Sequence, residues 1–209
     1  VKDGLAESTV KVIFEDRNGF IYFGTENGLD VYDGYEFINY QMNSFNEASL
    51  LGNKISSIYE DSNNMVWVGS ELGVSLFDPS KREFSRPIDS GEHELVDSET
   101  IIEDSEGNIW IKLKEHGLVY QYNIASDELK DMNRSFSGNE MATVLHRGPN
   151  GTILLGTSLG LYYFDNDLNE LRKVGSKGEF DGLFVNALVN GNENDVWVGT
   201  SDGLFKLSN

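Results

Sequence analysis

The sequence predicts an all-β chain, and three observations carry that expectation. One pattern is written five times, at a fixed period. Its marker aromatic, Tyr22, returns as Trp67, Trp110, Leu154 and Trp197, at steps of 45, 43, 44 and 43 residues. A constant period of this length marks an array of one supersecondary unit. Each copy also holds short apolar runs rich in Val, Ile, Tyr, Phe and Trp, broken by Gly, Asn, Asp and Ser, and no copy has apolar residues at helical spacing. Finally, these runs do not alternate: Ile21-Tyr22-Phe23, Val66-Trp67-Val68 and Ile109-Trp110-Ile111 are consecutive and apolar. A strand of that kind must be covered on both faces. Small four-stranded sheets standing face to face meet the demand, so the sequence predicts a β-propeller of five four-stranded blades, each of about 44 residues.

The repeats divide the chain approximately into 5–50, 51–95, 96–138, 139–182 and 183–209, one propeller segment over 1–209. The first copy is the cleanest, running from Val12 to Thr25 and on through Gly28-Leu29 to Asp33. In Glu15-Asp16-Arg17-Asn18-Gly19 the Asp can accept backbone amides two residues on, while Gly19 takes a positive φ without penalty. The second copy predicts strands over Ile55–Glu60, Val66–Gly69, Val74–Asp78 and Glu83–Pro87. The third departs most, with Lys112 where Gly24, Gly69, Gly156 and Gly199 stand elsewhere, and one extra residue before Gly117. The fourth has Leu154-Leu155 in place of an aromatic, and the fifth stops at Leu207-Ser208-Asn209 after its third strand. Two endings fit that last copy: a five-bladed ring with a stunted seam, or part of a larger ring.

Composition narrows the function. With 35 acidic against 16 basic residues the formal charge is −19, which repels a phosphate backbone, so no nucleic-acid partner is expected. The absence of cysteine removes disulfides and thiolate metal sites. His93, His116 and His146 fall in different repeats without a metal spacing, so no metal and no cofactor is expected. The paired carboxylates Glu15-Asp16, Glu60-Asp61 and Glu103-Asp104 have the residue type of a glycosidase pair, but catalysis needs one asymmetric pair, whereas these recur at equivalent turns. Trp67, Trp110 and Trp197 share one place in the second strand, which predicts core packing rather than sugar-stacking platforms.

The first copy, from Ile13-Phe14-Glu15-Asp16 through Gly19-Phe20-Ile21-Tyr22-Phe23-Gly24-Thr25 to Gly28-Leu29 and Tyr32-Asp33-Gly34-Tyr35-Glu36-Phe37, resembles the two-component regulator propeller repeat, and Lys2-Asp3-Gly4-Leu5 resembles the lead-in of such arrays. The resemblance extends over nearly the whole chain. It implies the periplasmic sensor part of a hybrid two-component histidine kinase of gut Bacteroides-like bacteria, responding to glycan breakdown products. It further implies a seven-bladed parent ring, neighbouring repeats and domains of the same chain as partners, and homodimerisation of the full-length sensor. A non-enzymatic oligosaccharide-sensing segment is therefore expected. A propeller enzyme of the polysaccharide or streptogramin lyase type and a protein-interaction scaffold are the rivals, because propellers host all three.

A binding site should use positions where the copies disagree. The second-to-third-strand loops disagree most in the third copy, at Lys112 and the lengthened Lys114-Glu115-His116. Asn27, Glu71 and Asp202 occupy the corresponding loops of the first, second and fifth copies. These seven residues are the predicted ligand-binding set.

Overall fold

The computed structural model describes residues 4–88, 95, 97–136, 139–175, 178–192 and 194–208. The first sheet holds β1 (Val10–Glu15), β2 (Ile21–Thr25), β3 (Gly28–Tyr32) and β4 (Phe37–Tyr40). The second holds β5 (Ile55–Glu60), β6 (Val66–Ser70), β7 (Gly73–Asp78) and β8 (Glu83–Ser85). The third follows with β9 (Ser98–Glu103), β10 (Ile109–Leu113), β11 (Val119–Asn123) and β12 (Glu128–Asp131). The fourth holds β13 (Ala142–Arg147), β14 (Ile153–Thr157), β15 (Gly160–Asp165) and β16 (Glu170–Lys173). The last has three strands among the described residues: β17 (Val185–Asn190), β18 (Val196–Thr200) and β19 (Gly203–Leu207). All are meanders in chain order, the form of propeller blades, and helix among the described residues amounts to two single 3-10 turns. Contacts divide the chain into two compact units, Val1–Ile101 and Ile102–Asn209.

The turn between first and second strands is built the same way three times. Asp16 Oδ1 accepts the amides of Asn18 and Phe20, both at 2.9 Å, and its Oδ2 accepts the Tyr22 hydroxyl at 3.0 Å. Asp61 does this for Asn63, Met65 and the Trp67 indole, and Asp104 for Glu106, Asn108 and the Trp110 indole. One carboxylate thus closes the turn and satisfies the polar atom of a ring that is otherwise wholly buried. The carboxylate pairs are structural in the same sense on their other member: Glu60 accepts the Arg17 amide at 3.0 Å and lies 3.7 Å from its guanidinium.

In the first unit, Tyr22, Leu29, Val31, Ile55, Val66, Val68 and Phe77 form one core between the first and second sheets. Tyr22 meets Phe77 edge-on with centroids 6.3 Å apart. In the second unit, Trp110, Val119, Leu145, Ile153, Leu155 and Phe164 pack together, with Trp110 and Phe164 at 4.8 Å, and Leu154, Leu161, Val185, Leu188 and Val198 form a further cluster. Val66-Trp67-Val68 and Ile109-Trp110-Ile111 are fully buried as expected, whereas in Ile21-Tyr22-Phe23 only Tyr22 is buried and its neighbours are half-buried.

The glycine after the marker aromatic has a steric reason. A Cβ on Gly24 would lie 2.4 Å from Val12 and 2.6 Å from Ile55; one on Gly156 would lie 2.6 Å from both Val144 and Val185. The second strand is pinched between its own first strand and that of the next sheet, and no side chain fits. At Gly199 the nearest atom is Ala187 Cβ at 3.6 Å, so nothing presses on the last sheet there. The same openness corrects one expectation. Trp197 is 40% exposed, alongside Val189 and Leu204, and no sheet of its own unit covers that face.

Trp67→Ala should therefore cost about 3–5 kcal/mol in a denaturant melt, whereas Trp197→Ala should cost under about 1 kcal/mol, since its ring is already partly in water. Equal losses would refute the assignment. Burial, followed by the neighbouring carboxylates Asp16, Asp127 and Glu140, raises the phenol pKa values of Tyr22, Tyr122 and Tyr162, that of Tyr122 being pushed up to about 12. Unfolded phenols ionise near pH 10, so the stability from keeping Tyr122 neutral is complete below about pH 10 and is lost as pH rises through about 12. Phenolate absorbance should rise together with unfolding in that window; full ionisation in the native protein at pH 10 would contradict the burial.

Candidate functional site

Four of the five turns between second and third strands share one construction. Thr25 Oγ1 accepts the Asn27 amide and donates to the Gly28 carbonyl at 2.9 Å. Ser70, Thr157 and Thr200 repeat this toward Gly73, Gly160 and Gly203. The third copy has Leu113 at that place and loses the hydroxyl, and its turn is closed instead by the Leu113 amide on the Leu118 carbonyl at 2.8 Å. Each turn is tied to chain entering a first strand: Gly28 to Asn53, Glu71 to Lys54, Gly117 to Ala142, Ser158 to Met141 and Ser201 to Phe184. Within each unit these turns and entering segments occupy the same end of the sheets.

The predicted residues fall in different circumstances. Lys114, Glu115 and His116 are exposed together on one turn, with His116 at φ 60°. Gly117 ends it because a Cβ there would strike the Ala142 carbonyl oxygen at 2.2 Å. Lys112 is apart from them, buried within β10. Asn27 is exposed and its carbonyl accepts Gln41 Nε2 at 3.0 Å. Glu71 is committed to the backbone, accepting the Asn53 amide at 3.3 Å and the Lys54 amide at 2.8 Å. Asp202 is exposed at the tip of its turn. Of the histidines, His146 Nε2 lies 2.9 Å from Asn190 Oδ1, and His93 is outside the described residues.

Among the described residues, a wider and a smaller groove of the second unit are lined by polar side chains. The wider is lined by Arg134, Arg172 and Lys173, and each cation faces a carboxylate: Asp131 at 3.8 Å, Asp165 at 3.6 Å and Asp181 at 3.0 Å. The smaller, of about 240 Å³, lies at the opposite ends of the strands from the turns above, among Asn108, Gln121, Asn123, Asn166 and Asn169. Its amides escaped the sequence reading, which compared the copies at turns and glycines. A comparison at the strand positions flanking the marker aromatic would have found them, since Asn108 stands where the other copies have Phe20, Met65, Thr152 and Asp195.

Residues 4–27 and 49–71 match the family model of the two component regulator propeller, in the first two copies. The resemblance read from the residues is thus found independently. Among solved structures the chain is similar to one described as the extracellular domain of a hybrid two component system from B. thetaiotaomicron, at 19% identity and a TM-score of 0.63, over 99% of this chain and 34% of that one. It is similar to PorZ, a surface component of the type-IX secretion system of Porphyromonas gingivalis, at 18% identity and a TM-score of 0.63, over 94% and 32%. It is also similar to virginiamycin B lyase of Staphylococcus aureus, at 10% identity and a TM-score of 0.62, over 99% and 72%. At these identities the likeness is one of fold. The chain spans about a third of the two-component domain it matches. No curated protein matches it.

Because its carboxylate holds two entering amides, Glu71→Ala should destabilise by about 1–2 kcal/mol, while Asn27→Ala and Asp202→Ala should stay within about 0.5 kcal/mol of wild type. Thermal melts of the three variants check this, and a neutral Glu71→Ala would return that residue to the pool of free ligand contacts.

Proposed function

We propose that the chain is an extracytoplasmic, ligand-sensing propeller segment of a hybrid two-component sensor and that it binds an oligosaccharide without transforming it. The observation that carries this reading is the match of the first two copies to the two component regulator propeller. The fold-level similarity to an extracellular domain of a hybrid two component system supports it, and the placement this reading assigns is extracytoplasmic and periplasmic. A non-enzymatic role is favoured by the recurrent carboxylates Asp16, Asp61 and Asp104, which hold turn amides and buried rings, and by Glu60, which holds the Arg17 amide. The similarity to a lyase is the one finding that favours a catalytic propeller, and it is a likeness of fold.

The segment belongs to a larger ring in this reading, with seven blades as the expected number. The open face around Val189, Trp197 and Leu204 supports that view, because the equivalent Tyr22 and Trp67 are wholly buried. Other repeats and domains of the same chain, and a second sensor subunit, are its protein partners. The exposed Lys114–His116 turn is the ligand contact this reading assigns, its ammonium and imidazole being donors for sugar hydroxyls or carboxylates.

Isothermal calorimetry of the protein against a panel of neutral and acidic oligosaccharides tests the proposal. Saturable binding of at least one, weakened about tenfold or more by Lys114→Ala with His116→Ala, is the expected result. Binding untouched by the double variant would remove the turn from the site. Cleavage of a saccharide would make the protein an enzyme, and saturation by a protein partner alone would make it a scaffold.

A further inference from the structure

The small groove of the second unit is walled by carboxamides. Gln121 and Asn123 come from β11 of the third sheet, Asn108 from the turn just before β10, and Asn166 and Asn169 from the turn between β15 and β16, with Phe164 as the aromatic wall and Lys130 at the side. Asn108 and Gln121 are more than nine-tenths buried, at 5% and 6% exposure, yet both line the groove. The repeat does not call for them. Gln121 pairs across the strands with Trp110, and the residues pairing with the equivalent Tyr22, Trp67 and Leu154 are Val31, Leu76 and Tyr163. An apolar or aromatic side chain serves the framework at this place in three other copies, while in the fifth Lys206 stands opposite Trp197 and is bound to Asp195 at 2.5 Å.

The amides are held in order. Asn108 Nδ2 donates to Asp104 Oδ2 at 2.9 Å, and Asn108 Oδ1 accepts Asn123 Nδ2 at 2.7 Å. Asn123 Oδ1 in turn accepts the Ser126 amide at 2.8 Å. Lys130 Nζ reaches across to the carbonyl of Asn169 at 2.6 Å and its Oδ1 at 3.0 Å, and lies 6.0 Å from the Phe164 ring centroid. Gln121 is the weakly held member. Its one side-chain hydrogen bond among the described residues is a long 3.5 Å contact from Nε2 to Asp104 Oδ2, which already receives the Trp110 indole and Asn108. No fully buried side-chain nitrogen or oxygen among the described residues lacks a partner, so the amide capacity that Gln121 leaves unused is at the groove it lines.

We infer that this groove is a binding site for a neutral, hydroxyl-rich ligand, one sugar ring or the end of a short saccharide. A carboxamide carries a donor and an acceptor side by side, which suits adjacent hydroxyls that each donate and accept. The groove holds about 240 Å³, short of the roughly 300–1,000 Å³ of sites for drug-sized molecules, so it admits a ring rather than a chain. Its charged walls are Glu106, Glu128 and Lys130, and the lysine is engaged with Asn169, so the lining offers no free cation for a carboxylate or sulfate. The site is separate from the Lys114–His116 turn and does not rest on a signalling role.

The test is heteronuclear NMR of the side-chain amides, with cellobiose, maltose and lactose as probes. At least one disaccharide should move the Gln121, Asn123 and Asn166 amide signals with saturation in the millimolar range. Gln121→Leu and Asn166→Ala should each weaken it about tenfold. Gln121→Leu places at this position the residue type that the second copy carries at Leu76, so it keeps the fold, and Asn166 lies in a turn. Amide signals unmoved by all three sugars, or saturation unchanged in the folded Gln121→Leu protein, would overturn the site. So would saturation by N-acetylglycinamide alone, which would mark the groove as a peptide contact. Loss of binding in the Lys114/His116 double variant with the groove amides still responsive would separate the two sites.

Discussion

A single carboxylate, placed six residues before a buried ring, is the interaction on which the sheets depend. A strand covered on both faces leaves no water for a polar atom inside it, so a tyrosine hydroxyl or an indole N–H there must find a partner or cost several kcal/mol. Asp16, Asp61 and Asp104 supply that partner for Tyr22, Trp67 and Trp110, and the same side chains close the turns that bring second strands back beside first strands. The rule is visible in its exceptions. Where the fourth copy has Gly148, the ring is replaced by Leu154, which has no donor to satisfy. Where the fifth has Gly191, Trp197 is partly exposed, and water can take the role of the carboxylate.

Once the ring is buried, the next requirement is close approach. The strand after the ring must come near enough to the following sheet for Tyr22 to reach Phe77, and Gly24 and Gly156 leave out the one atom that would prevent it. Lys112 occupies this place in the third copy and is buried there, so the third sheet meets the requirement by another arrangement of its neighbours. It is also the copy whose turn has lost the Thr or Ser hydroxyl and gained length. Three framework devices are altered in one repeat, which is more than drift at a single loop would produce.

The fold was legible in the sequence because its causes are local and repeated. The period, the Asp-to-ring spacing and the consecutive apolar triplets each follow from burial on two faces, and strands placed at Ile55–Glu60 and Val66–Gly69 lie within a residue of those observed. Trp197 was misjudged because burial is a property of a neighbouring sheet, and the sequence of a strand does not say whether that sheet is present. The candidate site was legible in part. Lys114, Glu115 and His116 stood out as an insertion, and they are exposed. Glu71 looked like a free carboxylate in the sequence, but its use depends on where the backbone of Asn53 and Lys54 passes, which is a tertiary fact.

The amides of the third sheet show why a repeat is a useful reference for function. In a single-copy fold, Gln121 against Trp110 would read as one more buried polar residue with a local partner. Here the first two copies act as internal controls, since Val31 and Leu76 fill the same place at no polar cost, and the fifth fills it with Lys206 paired to Asp195. A framework that can be built from valine or leucine does not require a carboxamide here, and one that lines a groove has its unused donors and acceptors open to a ligand. The amides lie at one end of the strands, the lengthened Lys114–His116 turn at the other, and both belong to the same copy. The third copy thus keeps the Asp104–Trp110 pair that holds its sheet together and differs from the other copies at both ends of its strands.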